Sequence, residues 1–337
     1  MKRILATTTI LAMTAGFAAA EVTLSGDARM GIISDFGGAD TAFTSRARVT
    51  FTLSGESDSG FSFGASFGAH DAGPAASGTA GSVYISANGF KLSMGDVDGA
   101  AQAAVGQVSQ ISMTDLGSLN EINYIGAGGA SGRLMNASYF SGANSDIAVT
   151  GDPTLLAEYS AGALSLYASL TQINYSYDYP LPLPLPSATL DAGTVAIGAA
   201  YTMGDYKVSA GYEMYEQTGN LDEGSAENFV LGADATFGAI TMKARYSTGG
   251  SEYVTSGAYQ DHTQVALSAT YTMDALSLTA FVSDIEIDDS GVVIYEREAY
   301  GLGASYDLGG GAKVVGGYAK NSTDDDSAFD LGLSFSF

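Results

Sequence analysis

The chain has 337 residues, with 13 Lys+Arg against 37 Asp+Glu, no cysteine and no tryptophan. So acidic a chain has no clustered basic surface with which to read nucleic-acid phosphates, and without cysteine it has neither disulfides nor thiolate metal sites. With 44 glycines, 20 tyrosines and 15 phenylalanines the composition is that of strands, and beyond the first twenty residues no stretch reaches the roughly eighteen apolar residues that a membrane-spanning helix needs.

The first predicted element is a leader. Lys2 and Arg3 precede a short apolar run, residues 4–17, and Ala18, Ala19 and Ala20 form a small-residue cleavage site. This is the pattern of an export signal, with cleavage expected after Ala20. What remains, residues 21–337, has 317 residues, 11 Lys+Arg and 37 Asp+Glu, a formal charge of −26.

From Glu21 onward a period of two recurs almost to the end. Val22, Leu24, Ala28, Met30 and Ile32 share one face, and Thr23, Ser25, Asp27 and Arg29 the other. In the next run Ala47, Val49, Phe51 and Leu53 alternate with Arg46, Arg48, Thr50 and Thr52. Phe61, Phe63, Ala65 and Phe67 repeat the pattern, as do Phe229–Phe237, Tyr300–Leu308 and the final Phe329–Phe337. Such alternation reads as strands with one oily and one polar face. One run is irregular. Leu276, Leu278, Ala280 and Val282 set one parity, and Ile285 and Ile287 the other. Either a bulge near Ser283 flips the faces or the strand leaves the membrane there.

The connections alternate in kind. Asn88-Gly89, Ala161-Gly162, Met203-Gly204-Asp205, Gly238-Ala239, Asp274-Ala275 and Gly309-Gly310-Gly311 are tight-turn sequences. Between them lie longer polar segments, roughly 34–43, 71–80, 175–192, 217–226, 249–260, 288–293 and 321–327. Short turns at one end and long loops at the other are the plan of a transmembrane barrel, and the count of strands comes to about sixteen. The polar face is rich in Gly, Ser and Thr, and the oily face gathers Tyr and Phe at strand ends, as interfacial girdles do. We therefore read an all-β, antiparallel transmembrane barrel with its oily face on lipid and its polar face on water. A soluble sandwich or a calcium-binding solenoid is the alternative, but no short fixed repeat supports the solenoid.

The segments EVTLSGDARMGI, SRARVTFTLSGESDSGFSFGASFGAH, YGLGASYDLGGGAKVVGGYA and DLGLSFSF together resemble general-diffusion porins of the Rhodobacter type. The resemblance covers most of the chain after residue 20 and is strongest over 21–99, 153–170 and 299–337. It implies a sixteen-stranded homotrimer of the Gram-negative outer membrane, in contact with lipid and lipopolysaccharide, that passes small hydrophilic solutes. It also implies that the third loop, about residues 97–152, folds into the channel, and that Phe337 is an assembly signal.

By parity Arg29, Arg46 and Arg48 point into the water. If Ile33 pairs near Thr44, Arg29 falls opposite Arg48, although like charges across a ladder repel. Lumen arginines can be merely solvated; we place them in a basic wall at the constriction, with His70 and Lys91 also facing inward. The loop supplies Asp96, Asp98, Asp115 and Glu121, with Asp146 and Asp152 further on and Arg133 as its only cation. Carboxylates facing arginines would set a transverse field and with it ion selectivity. The stretch 131–140 could instead be a strand fragment.

Other signals weigh less. Asp324, Asp325 and Asp326 could hold calcium, as relatives of the implied family do, but a run of like charges usually stays hydrated. DIEIDDSG at 284–291 lacks the glycine and glutamate of an EF-hand. PLPLPLP at 180–186 would stiffen an outer loop, and GLG at 301–303 is no nucleotide motif. With only His70 and His262 and no nucleophile elbow, an enzyme is not expected. The expected function is passive diffusion through a water-filled pore, with no required cofactor. The alternatives are a channel specific for a sugar or carboxylate and, behind it, an outer-membrane hydrolase or adhesin barrel.

Overall fold

The computed structural model describes residues 21–70, 81–125, 154–177, 188–219, 223–253 and 258–337. Among these, sixteen strands pair with their neighbours in chain order, all antiparallel, and the first closes on the last. They are β1 (Glu21–Ser34), β2 (Ala42–Glu56), β3 (Ser62–His70), β4 (Ser82–Ala87), β5 (Phe90–Gly95), β6 (Thr154–Ala161), β7 (Leu164–Tyr177) and β8 (Ala188–Met203). The barrel continues with β9 (Tyr206–Gly219), β10 (Gly224–Phe237), β11 (Ile240–Tyr253), β12 (Ala258–Met273), β13 (Leu276–Asp289), β14 (Val292–Gly309), β15 (Ala312–Asn321) and β16 (Asp326–Ser336). Closure leaves no open edge, which hydrocarbon would penalise at every unpaired N–H and C=O.

The polarity is inverted relative to a soluble barrel. Val49 and Leu53 of β2 are exposed on the outside, and Phe51 stacks on Phe67 of β3 with ring centroids 5.0 Å apart. Aromatic side chains gather near the short turns, where Tyr206 meets Phe237 edge-on at 5.7 Å. These turns are built as expected, with positive φ at Asn88, Gly89, Gly162, Gly204, Gly238 and Asp274.

At the other end the structure departs from the sequence reading. The segment 288–293 is not a long loop. Ser290 and Gly291, both with positive φ, make a two-residue hairpin between β13 and β14. Paired strands also continue through much of 217–226 and 249–260. Polar residues there mark strand surface beyond the lipid band rather than loop. The segments 71–80 and 180–186 lie outside the described residues.

No bulge occurs at Ser283, because β12 and β13 pair without interruption from Gln260–Asp289 to Met273–Leu276. The irregularity lies further on, where Ile287 pairs with Tyr295 and Asp288 with Val293. Phe281 and Ile285 are buried inward while Val282 is exposed outward. The apolar parity changes because two environments change. Above the lipid the outside is wet, and inside, this part of the wall is covered by protein.

That cover is the segment between β5 and β6, described as far as residue 125. It opens with a short helix, α1 (Ala100–Val105), whose run AAQAAV is alanine-rich and ends at Gly106 with φ 69°. A single 3-10 turn follows at Leu116–Ser118. A water-filled barrel has no central core. One buried apolar cluster packs Ala101, Ala104, Val105, Val108, Ile122 and Tyr124 of the segment against Val230 and Ala266 of the wall. A second cluster joins Ile111, Leu116 and Leu119 to Phe281, Ala299, Ala319 and Ala328.

Candidate functional site at the channel constriction

The basic wall is built from β1 and β2. Their register pairs Asp27 with Arg48 and Arg29 with Arg46. The expected pairing of Arg29 with Arg48 is therefore two residues out, since Ile33 pairs with Ala42 and Gly31 with Thr44. The shift brings in Asp27, which the sequence reading left unused. Its carboxylate accepts from Arg46 at 3.0 Å and from Arg48 at 2.8 Å. The arginine side chains keep 28% and 34% exposure, so these pairs contribute little stability, about 0–1 kcal/mol each. Their effect is positional. One carboxylate holds two guanidinium groups upright on the wall, and with Arg29 the patch keeps a surplus of positive charge.

The opposing body is the loop, and glycines make room for it. A Cβ on Gly211 of β9 would stand 2.5 Å from Ala101, one on Gly301 of β14 2.5 Å from Ile111, and one on Gly317 of β15 2.7 Å from the Ile111 carbonyl. A Cβ on Gly303 would collide outright with the Ile111 backbone. The GLG of 301–303 is thus a seat for the loop. At the far tip Met113 lies over Gly31 and Gly332, and its carbonyl accepts from Arg29 Nη1 at 2.7 Å.

Hydrogen bonds fix the path out and back. Outward, Ala100 N donates to Ser169 at 2.8 Å, Ser109 N to Ser268 at 3.0 Å, and Thr114 N and Oγ1 to Asp330, both at 2.6 Å. Arg245 donates to the carbonyls of Gly106 and Gln107. On the return, Ser283 donates to the Leu119 carbonyl at 2.5 Å. Gln264 donates to the Glu121 carbonyl at 2.6 Å and accepts from Asn123 N at 3.0 Å. Ile125 N donates to Glu213, which also accepts from Asn228. Glu213, Asn228, Ser247 and Gln264 are wholly buried under the loop, with His262 beside them at 3.2 Å from Asn228 and Ser247. Buried polar groups need such partners, and here the partners are the loop's own backbone.

The predicted carboxylates spread along this path. Asp96 and Asp98 stand where the loop leaves β5. The surrounding wall and then the neighbouring Asp96 hold the Asp98 carboxyl above the ordinary carboxylate range, although water reaches it. Asp115 sits at the tip in a left-handed conformation (φ 76°), accepts from Ser118 Oγ at 2.9 Å, and lies within electrostatic reach of Arg29. The Glu121 carboxylate accepts from Gln110 at 3.2 Å on the return pass. Among the described residues no loop carboxylate ion-pairs with Arg29, Arg46 or Arg48; the direct partner of Arg46 and Arg48 is Asp27, and that of Arg29 is the Met113 carbonyl. Arg133, Asp146, Asp152 and the stretch 131–140 lie outside the described residues.

Two further assignments change. Lys91 is the second residue of β5, beside the Asn88-Gly89 turn, and pairs with Glu158 at 3.0 Å. It belongs to the short-turn mouth, not to the arginine wall, because inward parity says nothing of depth. His70 ends β3 in register with Arg48; its side chain lies outside the described residues. The three aspartates of 324–326 do not converge. Asp324 accepts from Asn321, Asp325 pairs with Lys320 at 2.5 Å, and Asp326 accepts from the amides of Ser327 and Gly37. The Lys320 ammonium holds the Asp325 carboxyl below its ordinary range.

Charge is sorted across the wall. Of the 11 Lys and Arg after residue 20, nine share the inward parity; Lys320 points outward and Arg133 is not described. Glu227, Glu252, Asp284, Glu286, Glu296 and Glu298 stand exposed on the outward parity of β10, β11, β13 and β14.

With this geometry in hand, known proteins show the same plan. The family model for Gram-negative porin matches residues 7–326. The chain is 38% identical over 330 residues to a porin of Rhodobacter capsulatus, covering 94% of this chain and 100% of that one. It is 28% identical over 331 residues to a porin of Fuscovulum blasticum, with the same coverage. A solved porin structure superposes with a TM-score of 0.72 at 35% identity, covering 94% of this chain and 100% of that one.

Proposed function

The chain belongs to the Gram-negative porins and serves general diffusion of small hydrophilic solutes, and on that premise we propose that the Arg29–Arg46–Arg48 wall and the loop facing it set which ions pass. The observation that carries the reading is the pinned loop. A segment bonded to the wall at Ser169, Ser268, Asp330, Ser283, Gln264 and Glu213 is a fixed restriction in the water path. Across it, the arginines on one side and Asp98, Asp115 and Glu121 on the other polarise the water. Solutes are screened by charge and size and are not held, since charges lining a conduit favour entry only while exit stays easy. The homologues favour this reading over a channel specific for one sugar or carboxylate.

The test is reversal potential in planar bilayers under a salt gradient. Arg46→Gln/Arg48→Gln moves the preference toward cations with the pore still open. An unchanged reversal potential would remove the arginines from the restriction. Export with cleavage after Ala20, assembly as a homotrimer and contact with lipopolysaccharide complete the proposal. N-terminal sequencing of the membrane form and its mass in detergent check the first two.

A further inference from the structure

The lysines stand apart from the arginines. Lys91, Lys207, Lys243 and Lys313 all lie within the first four residues of a strand that leaves a short turn, and all share the inward parity. They line the short-turn mouth, beyond the restriction. Two have a carboxylate to themselves. Lys91 pairs with Glu158 at 3.0 Å, and Lys313 lies in register with Asp307, one carboxylate for one lysine, without an ion pair among the described residues.

The other two share one carboxylate. Lys207 on β9 and Lys243 on β11 both lie in register with Asp234 on β10. Asp234 is already committed, because Arg245 Nη1 binds it at 2.6 Å. The Arg245 side chain is 2% exposed and holds the Gly106 and Gln107 carbonyls, so it is a strut for the loop and not open to solutes. Among the described residues neither lysine ammonium has a carboxylate at ion-pairing distance. Two half-buried lysines without an ion pair therefore flank one engaged carboxylate, with strand positions about 10 Å apart across β10. The wall of β1 and β2 carries Glu21 and Glu56 on the inward parity at the same mouth, so an anion leaving the restriction is turned toward β9–β11.

We propose that Lys207 and Lys243 form a docking station for multiply charged anions, di- and tricarboxylates and phosphate-bearing solutes, on the short-turn side of the loop. Asp234 keeps the two ammonium groups from repelling each other apart, and the gap between them suits a solute carrying two or more anionic groups. The lysines are half-buried in the mouth wall and hold no ion pair, so the station raises the local concentration of such anions without trapping them. It rests on the reading of the chain as an open pore, and it makes the two mouths unequal.

The probe is citrate, added to each side in turn during single-channel recording at low salt. In the wild type, citrate on one side depresses the chloride current more than on the other, and the difference fades at high salt. In Lys207→Gln/Lys243→Gln the effective citrate affinity on that side falls about fivefold or more, the size of one exposed ion pair lost. Lys207→Arg/Lys243→Arg restores it, and Arg46→Gln/Arg48→Gln keeps the side preference while changing the reversal potential. Equal citrate block in the wild type and the Gln variant, or no recovery with arginine, overturns the station and leaves the pore intact. A wild type that conducts nothing overturns the pore reading itself.

Discussion

Arg29 donates to the Met113 carbonyl at 2.7 Å, so the basic wall is tied to the tip of the loop it faces. One residue thus serves both charge and shape. Arg29→Gln removes a charge and loosens the tip. A hydrogen bond from a charged donor contributes about 1.5–3 kcal/mol where buried, and this half-buried one less. We expect a smaller anion preference together with added open-channel noise, read from the same recordings. Arg46, whose ion-pair partner among the described residues is Asp27 and not the loop, should shift selectivity on neutralisation without the noise.

Asp27 works in the opposite sense. It accepts from Arg46 and Arg48 on the wall. Asp27→Asn leaves the guanidinium groups in place and removes the charge that offsets them. The reversal potential should move toward anions, opposite to the arginine variants. Thermal unfolding should shift little, because partly exposed ion pairs contribute about 0–1 kcal/mol.

Gly303 tests the seat. The Ile111 backbone occupies the space a side chain would need. Gly303→Ala must push the loop off β14 or strain the strand, at about 1–3 kcal/mol by the usual cost of overpacking. A larger conductance with a lower unfolding temperature is expected. Wild-type values for both would show that the loop does not rest there.

Gln264 tests the pinning. Its wholly buried amide donates to the Glu121 carbonyl and accepts from Asn123 N. Gln264→Leu keeps the bulk and strands both backbone groups, each at about 1–3 kcal/mol. Faster hydrogen exchange at residues 119–125 is the readout, with the barrel strands unchanged.

Asp98 gives a pH signature. Crowding by the wall, and then Asp96, raise its folded pKa above the ordinary 3.8. The folded protein therefore holds this proton at pH values where the unfolded chain has lost it. In the window from 3.8 up to the raised value, the protonated carboxyl favours folding, and this advantage is lost as pH rises through the folded pKa. Charge at the loop entrance falls over the same window as pH drops. As pH falls, the reversal potential of the wild type should begin to move toward anions above pH 3.8, and Asp98→Asn should lack that component.

Much of this was legible in strand parity. The faces of Ala47–Leu53 and of Arg46 and Arg48 follow from a period of two, and Asn88-Gly89 and Asp274-Ala275 announced their turns. Register was not legible. A seven-residue connection, 35–41, can join β1 to β2 in several ways, so Asp27 escaped notice as the arginines' partner. Depth was not legible either, which is why Lys91 was grouped with residues far above it. Polar outward residues such as Glu252 mimicked a loop because the strand there has risen out of lipid. The glycines at 211, 301, 303 and 317 were visible as small residues on the polar face, but their purpose appears only when the loop lies on them.

The sorting of charge across the wall separates two properties that a single isoelectric point runs together. Binding to an ion-exchange resin reports the carboxylates of the exterior, whereas permeation reports the charges of the bore, its ammonium and guanidinium groups together with carboxylates such as Asp27 and Asp115. Each set sits on its own side of a sheet one residue thick, so either can be re-engineered without disturbing the other.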